Sequence, residues 1–443
     1  MASLVDVAHS LQTVFTSTAD NAARATRFIQ RDSKITGPLF AQTLVFGWLA
    51  KPEATLEELA QTARTLGLAV TPQALDQRFT PQAADFLHDV LQAAVHRVVA
   101  ADPVAVPLLQ RFRGGVHLLD STTISLPDAL APVWAGCGGT GERDGLAAVK
   151  LHVRFDVLQG TLRGPVLSPA RVPDQCGLWH SEPLPPEALR LADLGYFSLD
   201  TFQQLSQQRV YWLTRFQDNT KLFDTAGRGW TLTAFLAQHR ESTVDVPVTL
   251  GVEHRLPCRL LAVRVPAAVA EKRRQRLRKK AARKGKKVHP ERMALADWNV
   301  FVTNVPESLM NIQEALVLAR CRWQIELLFK LWKSEGRIDE SRSAKPWRIL
   351  CEVYAKLLGM VVQHWILLLS CWSYADRSLR KASRTVRAHA SALGIVLSQG
   401  QMVIGILATI QRCLEKGCRI NKRRKEPSAY QLQFDPTEYR QTG

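Results

Sequence analysis

Residues 322–333 constrain the fold more than any other stretch of this chain. They read Arg322-Trp-Gln-Ile-Glu326-Leu-Leu-Phe-Lys330-Leu-Trp-Lys333. At roughly 100° per residue, a helix brings Arg322, Glu326, Lys330 and Lys333 into an arc of about 80°. Trp323, Ile325, Leu327, Leu328, Phe329, Leu331 and Trp332 take up most of the remaining circumference. A helix that is apolar nearly all round is a buried one. The sequence therefore predicts a core helix whose single charged stripe faces something other than bulk water. Ion pairs at i,i+4 are each worth only about 0.2–0.5 kcal/mol, and one carboxylate among three cations leaves positive charge over. A metal ion together with an anionic substrate would complete such a stripe.

The 443-residue chain has room for two to four domains, and its 46% apolar content supports sizeable cores. A net charge of +18 points to a polyanionic partner, nucleic acid before membrane. Eleven of those charges fall between Lys272 and Lys287, where Arg273, Arg274, Lys279 and Lys280 stand among the cations and no acid interrupts. Such a run is either a DNA-contacting surface or a solvated, self-repelling segment. None of the eight cysteines forms a C-x2-C pair, so no structural zinc is expected and the thiols read as reduced, in a cytosolic protein. Asp6 and His9 precede any apolar run, which does not fit a signal peptide. Leu357 to Ala375 lacks Asp, Glu, Lys and Arg over about the length of a membrane span, but Gln363 and His364 sit at its middle. It is predicted to be a buried core helix.

Five regions follow from the patterning. Residues 1–105 read as helical. Thr55 and Glu58 form a capping box, Gly67 breaks the helix, and Thr71-Pro72 opens another. That is a helix-turn-helix pattern with Gln73, Gln77 and Arg78 available for DNA, or an ordinary helical hairpin. Residues 106–216 shift to strand signals: Val116–Asp120, an alternating Val149–Val157, Leu162–Val172 and Val210–Phe216. Residues 217–305 look like a β-rich insertion carrying the basic run as a helix, with a last strand at Trp298–Val305. Residues 306–345 hold the glutamate helix, preceded by an Asn311–Glu314 cap. Residues 346–443 are helical and end in the basic run Lys422-Arg-Arg-Lys425. The fold class is mixed α/β.

Asp120 and Asp193 each close a short apolar run, Val116-His-Leu-Leu and Leu189-Arg-Leu-Ala, which would place each carboxylate at a sheet rim. Either alone is common loop punctuation. The spacing Arg322-x3-Glu326-x6-Lys333 resembles the C-terminal motif of the IS4 family of DDE transposases, normally Tyr-x2-Arg-x3-Glu-x6-Lys. Ala319 stands where that tyrosine is expected. Asp120-Ser-Thr and Ala192-Asp-x-Gly-Tyr196 are similar to the family blocks around its first two carboxylates. The resemblance covers roughly residues 110–375.

The resemblance implies an RNase H-like mixed-sheet core interrupted by a β-rich insertion, with helical N-terminal DNA-binding and C-terminal regions. It makes Asp120, Asp193 and Glu326 the catalytic and metal-binding residues for Mg²⁺ or Mn²⁺, two ions, with Asp120 bridging them. Hard carboxylate oxygens suit such ions. Arg322, Lys330 and Lys333 would meet DNA phosphates. Trp298 resembles a family tryptophan that stacks on a flipped base, the alternative being a buried strand tryptophan. The implied activity is cleavage and strand transfer of insertion-sequence ends, cut-and-paste through hairpins. The implied partners are double-stranded terminal repeats and target DNA, with a homodimer in the synaptic complex and no membrane, in a prokaryotic cytoplasm at the nucleoid. Two other readings stay open: an inactive transposase-derived DNA-binding protein, which Ala319 favours, and an RNase H-like nuclease without strand transfer.

Overall fold

Two units, each assembled from separate stretches of chain, make up the computed structural model. One comprises Met1–Ala105, Asp120–Trp179 and Trp323–Asn421; the other comprises Val106–Leu119, His180–Arg322 and Lys422–Gly443. The structure describes all residues except 1–2, 32, 139–144, 284, 421–426 and 440–443. The basic run Lys422-Arg-Arg-Lys425, and Lys284 of the cationic stretch, therefore lie outside the described residues.

The first unit is organised around the helix Pro346–Leu368, in which every residue from Leu350 onward is buried. This helix is long and apolar enough to cross a membrane, yet 94% of its most apolar window lies inside the protein. The core-helix reading of Leu357–Ala375 thus holds, with the helix ending at Leu368. Helices Gly37–Ala50 and Pro81–Val95 pack on it, and Gly37–Ala50 also packs on Ala390–Ser398. The N-terminal helices consequently share one core with the C-terminal ones rather than forming a head of their own.

The capping box at Thr55 and Glu58 is present, Gly67 adopts φ +89°, and the Thr71 side chain accepts from the Ala74 amide. The helix opened there spans only Pro72–Asp76. Pro81 disfavours helical dihedrals at Thr80, which sits at φ −114°, ψ 168° and caps a new helix, Pro81–Val95. A second helix of five residues is too short for the recognition helix expected of a helix-turn-helix. Its Asp76 is engaged by Lys345 and, at 3.6 Å, by Arg348.

Strand β1 (Val116–Leu126) belongs to both units: its first four residues to the second, the rest to the first. In the first unit β1 is followed across the sheet by β2 (Ala147–Asp156) and β3 (Leu162–Pro169), the latter two antiparallel. β2 is the strand its alternation predicts, and it is buried along its length except at Lys150, which is partly exposed. Its polar side chains find partners inside. His152 Nε2 lies 2.8 Å from Ser168 Oγ, the Arg154 guanidinium sits 5.2 Å from the Trp179 ring centroid, and Asp156 accepts from the Leu158 and Gln159 amides.

In the second unit the start of β1 is followed by β4 (Leu189–Ala192), β5 (Tyr211–Arg215), β10 (Trp298–Thr303), β9 (Leu256–Arg264), β8 (Thr243–Leu250), β6 (Leu222–Phe223) and β7 (Gly229–Trp230). β1, β4 and β5 are parallel, and every pair beyond β5 is antiparallel. Residues 217–305 are β-rich as expected. Their last strand, β10, returns beside β5 through Phe301↔Arg215 and Thr303↔Leu213, so this segment extends the sheet. Its apolar side chains join Phe202 and Trp212 in one core.

Candidate active site

The parallel pairing of β1 with β4 runs Val116↔Leu189 to Leu119↔Ala192. Asp120 and Asp193 are the residues that follow this last pair. Carboxyl ends of parallel strands are where open α/β sheets place ligands. Asp120 Oδ1 accepts from the Ser121 amide at 2.9 Å. Asp193 Oδ1 accepts from the Gly195 amide at 2.9 Å and caps the 3-10 turn Leu194–Tyr196. Both carboxylates are half-buried. Asp193 leaves its strand as the sequence suggested, but Asp120 does not end β1. The strand continues to Leu126, because Thr122, Thr123 and Ile124 are β-branched and favour extension.

Glu326 lies on the helix Trp323–Ser334. Arg322 is not part of that helix. It joins it to the preceding helix Ile312–Cys321, at φ −52°, ψ −31°, and is half-buried. The Asn311–Glu314 capping box opens that preceding helix, and Ala319 falls in its last turn. The expectation of apolar burial nearly all round needs correction. Ile325, Leu328, Phe329, Leu331 and Trp332 are buried, but Trp323 is 57% and Leu327 45% exposed. Trp323, at i−3, is a surface neighbour of Glu326 on the helix, while Leu327 lies about 100° further round. Glu326 is half-buried and Lys330 exposed. Lys333 Nζ donates to the Thr123 carbonyl at 3.0 Å and lies 4.0 Å from Asp339. This bond ties the end of the glutamate helix to β1, three residues beyond Asp120.

One group beside Asp120 was not legible in the sequence. Asp174 Oδ1 accepts from Ser121 Oγ at 2.7 Å and lies 3.2 Å from Lys150 Nζ, which also donates to the Val172 carbonyl at 2.6 Å. Burial pushes the pKa of nearby His152 down, with Asp174 pulling the other way. Asp174 lies in a segment crowded by prolines, and no periodicity marks it as belonging next to β1.

The cationic helix Ala267–Ala282 divides by role. Arg273 donates to the Trp298 carbonyl at 3.1 Å and to Asn299 Oδ1 at 2.8 Å, and its burial lowers its pKa. Arg274 binds Asp297 and the Met293 carbonyl. These two arginines anchor the helix, whereas Lys279 and Lys280 are exposed. Trp298 is 8% exposed within the core of the second unit, with the Arg264 guanidinium 4.4 Å from its ring centroid. Core side chains and this cation cover the ring, the packing that the buried-strand alternative describes.

Among the described residues, no three His, Cys, Asp or Glu side chains gather closely enough to hold a metal ion, and the cysteines are all free thiols. The donor chemistry of Asp120, Asp193 and Glu326 nevertheless suits a hard divalent cation, since all three offer carboxylate oxygens.

An acid after each member of the last β1–β4 pair, with a third on a helix tied back to β1, is accompanied by a sequence match. Residues 112–361 fit the family model described as the transposase DDE domain. The chain belongs to the DDE transposases, a class of enzymes that act on DNA with divalent metal ions. It is 26% identical over 364 residues to the transposase for insertion sequence element IS231F of Bacillus thuringiensis subsp. israelensis, covering 77% of this chain and 75% of that protein. The transposase for IS1151 of Clostridium perfringens is 22% identical over 368 residues, covering 79% and 77%. A shorter match, 34% identical over 103 residues, links 23% of the chain to 28% of the putative transposase InsL for IS186A of Escherichia coli.

Proposed function

We propose that this protein is an insertion-sequence transposase of the IS4 type, cleaving and joining the ends of its element by metal-dependent phosphoryl transfer. The register of β1 with β4 carries the reading, since it sets an aspartate directly after each member of the Leu119↔Ala192 pair. The strand directions, with β1, β4 and β5 parallel and β2 antiparallel to β3, support an RNase H-like core that the 217–305 segment extends as an insertion.

Asp120, Asp193 and Glu326 would hold Mg²⁺ or Mn²⁺, two ions. When bound, these supply activation of a water or 3′-hydroxyl and stabilisation of the leaving oxygen. The protein's own part is positioning. Gly195 donates to Asp193 and Ser121 to Asp120, which orients each carboxylate. Arg322 and Lys330 offer charge to phosphates on either side of Glu326, and Lys333 fixes the helix on β1 while presenting its ammonium there. Lys279 and Lys280 provide a second, exposed phosphate contact; Arg273 and Arg274 hold their helix in place. Terminal inverted repeats and target DNA are the partners, in a homodimeric synaptic complex within a prokaryotic cytoplasm. A hairpin route that uses Trp298 as a base platform requires Arg264 to leave its ring first.

The test is substitution of Asp120→Asn, Asp193→Asn and Glu326→Gln, which keep shape and remove ligand charge. Cleavage should vanish while end binding survives. Substantial Mg²⁺-dependent nicking by Asp193→Asn would sink the assignment. Because Ala319 replaces the expected tyrosine, the assay should also score joined products, whose absence beside normal cleavage would mark a nuclease.

A further inference from the structure

The glutamate helix ends at Ser334, and the next residue, Glu335, is met by three arginines of the helix Leu379–Ala388. Arg380 Nε reaches Glu335 Oε1 at 2.7 Å, Arg384 NH2 the same oxygen at 3.3 Å, and Arg387 NH1 the other oxygen at 3.3 Å. The Glu335 side chain is only 10% exposed, whereas those of Arg380 and Arg384 are 69% and 60% exposed. Arg380 engages through Nε, so both its terminal nitrogens lie outside this contact.

As a stability device this arrangement is poor. Ion pairs made by solvent-exposed arginines contribute little, and three guanidiniums on one carboxylate repel one another. The arginine helix contains no acid. Arg380 and Lys381 lie in its first turn, where the helix dipole disfavours cations, and Arg380 and Arg384 form a like-charge i,i+4 pair. Each term is small, but all have the same sign, and among the described residues Glu335 is the one carboxylate that meets all three arginines. The surplus positive charge calls for an anion from outside the chain.

We infer that the Arg380–Arg384 face is a docking surface for the sugar-phosphate backbone of duplex DNA, with Glu335 holding the guanidiniums in place. The inference rests on the reading that DNA is the substrate and extends its footprint onto a helix outside the carboxylate set. The rise from position 380 to 387 is about 10 Å. Phosphates recur every ~3.4 Å of axis along one strand, so this face matches several of them. Arginine suits the task because its planar fork can bind a phosphate with two donors.

The experiment measures affinity for random-sequence duplex DNA against salt concentration, with chelator present so that no cleavage intervenes. Arg380→Ala/Arg384→Ala should reduce the log–log slope by about 1.8, at about 0.9 per lost phosphate contact. Arg380→Lys/Arg384→Lys should keep most of the slope, since charge is retained. An unchanged slope in the alanine pair overturns the proposal. So does an equal loss in both pairs, or a loss of thermal stability without a slope change, which would make the cluster a structural clamp. A shift in self-association without a slope change also overturns it, by making the partner a second copy of the chain. Because the readout needs no catalysis, it stands apart from the carboxylate test: persistent nicking by Asp193→Asn would refute the active-site assignment and leave this result intact.

Discussion

Lys356 is a demanding test of how the first unit is held together. Its ammonium, 2% exposed, donates to Glu352 at 2.8 Å, to the Arg337 carbonyl at 2.9 Å and to the Glu340 carbonyl at 2.8 Å. Three donors meet three acceptors. Glu352, 6% exposed, also accepts from Ser341 Oγ at 2.6 Å. The cluster pins the segment leaving the glutamate helix, where Arg337 adopts φ +47°, onto the central helix Pro346–Leu368. Lys356→Met keeps the side chain's length and removes its charge, which leaves a buried carboxylate without its cation. Breaking a buried pair in this way costs about 3–5 kcal/mol. A chain of two units does not unfold in one two-state step, so the assay is hydrogen exchange on the Leu350–Leu368 amides. Each ~1.4 kcal/mol being tenfold, protection should fall roughly 100- to 4,000-fold. Adding Glu352→Leu should recover much of it, since an apolar replacement of the whole pair is often near neutral. A loss below tenfold in Lys356→Met, or no recovery in the double variant, would refute the claim that an uncompensated buried charge sets the cost.

Two further outcomes follow. Trp298→Ala should destabilise the second unit by about 3–5 kcal/mol, as a large core truncation does. Nicking and hairpin formation should then fall together; a selective loss of hairpins with normal unfolding would restore the base-stacking role. His364 is wholly buried, with Nε2 2.7 Å from the Gly160 carbonyl, and burial lowers its pKa to about 4 from an unfolded value near 6.5. The neutral ring is thus favoured on folding. Its contribution, of order 3 kcal/mol, is complete above pH 6.5 and is lost as pH falls towards 4. His364→Gln should flatten the stability of the first unit across that window, and an unchanged pH profile would show that the ring does not control it.

How much of this was legible depends on the range of the interactions involved. Caps at Thr55, Thr71 and Asn311 are local exchanges between a side chain and an amide a few residues on, so the sequence showed them directly. The candidate carboxylates are singled out by the family resemblance, carried by the spacing of Glu326 with Arg322 and Lys333 and by the blocks around Asp120 and Asp193. Long-range coverage was not legible. Alternation along β2 marks a strand, but not that Ser168 and Trp179 meet its polar side chains. Helical periodicity carries Arg322 into the glutamate helix, whereas the residue joins that helix to the preceding one, with helical dihedrals of its own. Charge alone could not separate Arg273, which has backbone and amide acceptors in reach, from Lys279, which is exposed. Ser121, Lys150 and Asp174 are brought together by strand pairing and loop path, and neither leaves a periodic trace.

The central helix Pro346–Leu368 also sets an order of events during synthesis. Helices Gly37–Ala50 and Pro81–Val95 emerge early, but the surface they pack against is made from residues more than two hundred positions later. At 5–20 residues per second, the interval between Val95 and Leu368 lasts roughly 14–55 s. Throughout it, the parts of the early helices that meet Pro346–Leu368 are uncovered on the nascent chain. Fragments ending before residue 346 should therefore depend on chaperones and be rapidly degraded, so that folded protein reports on translation that has passed the glutamate helix.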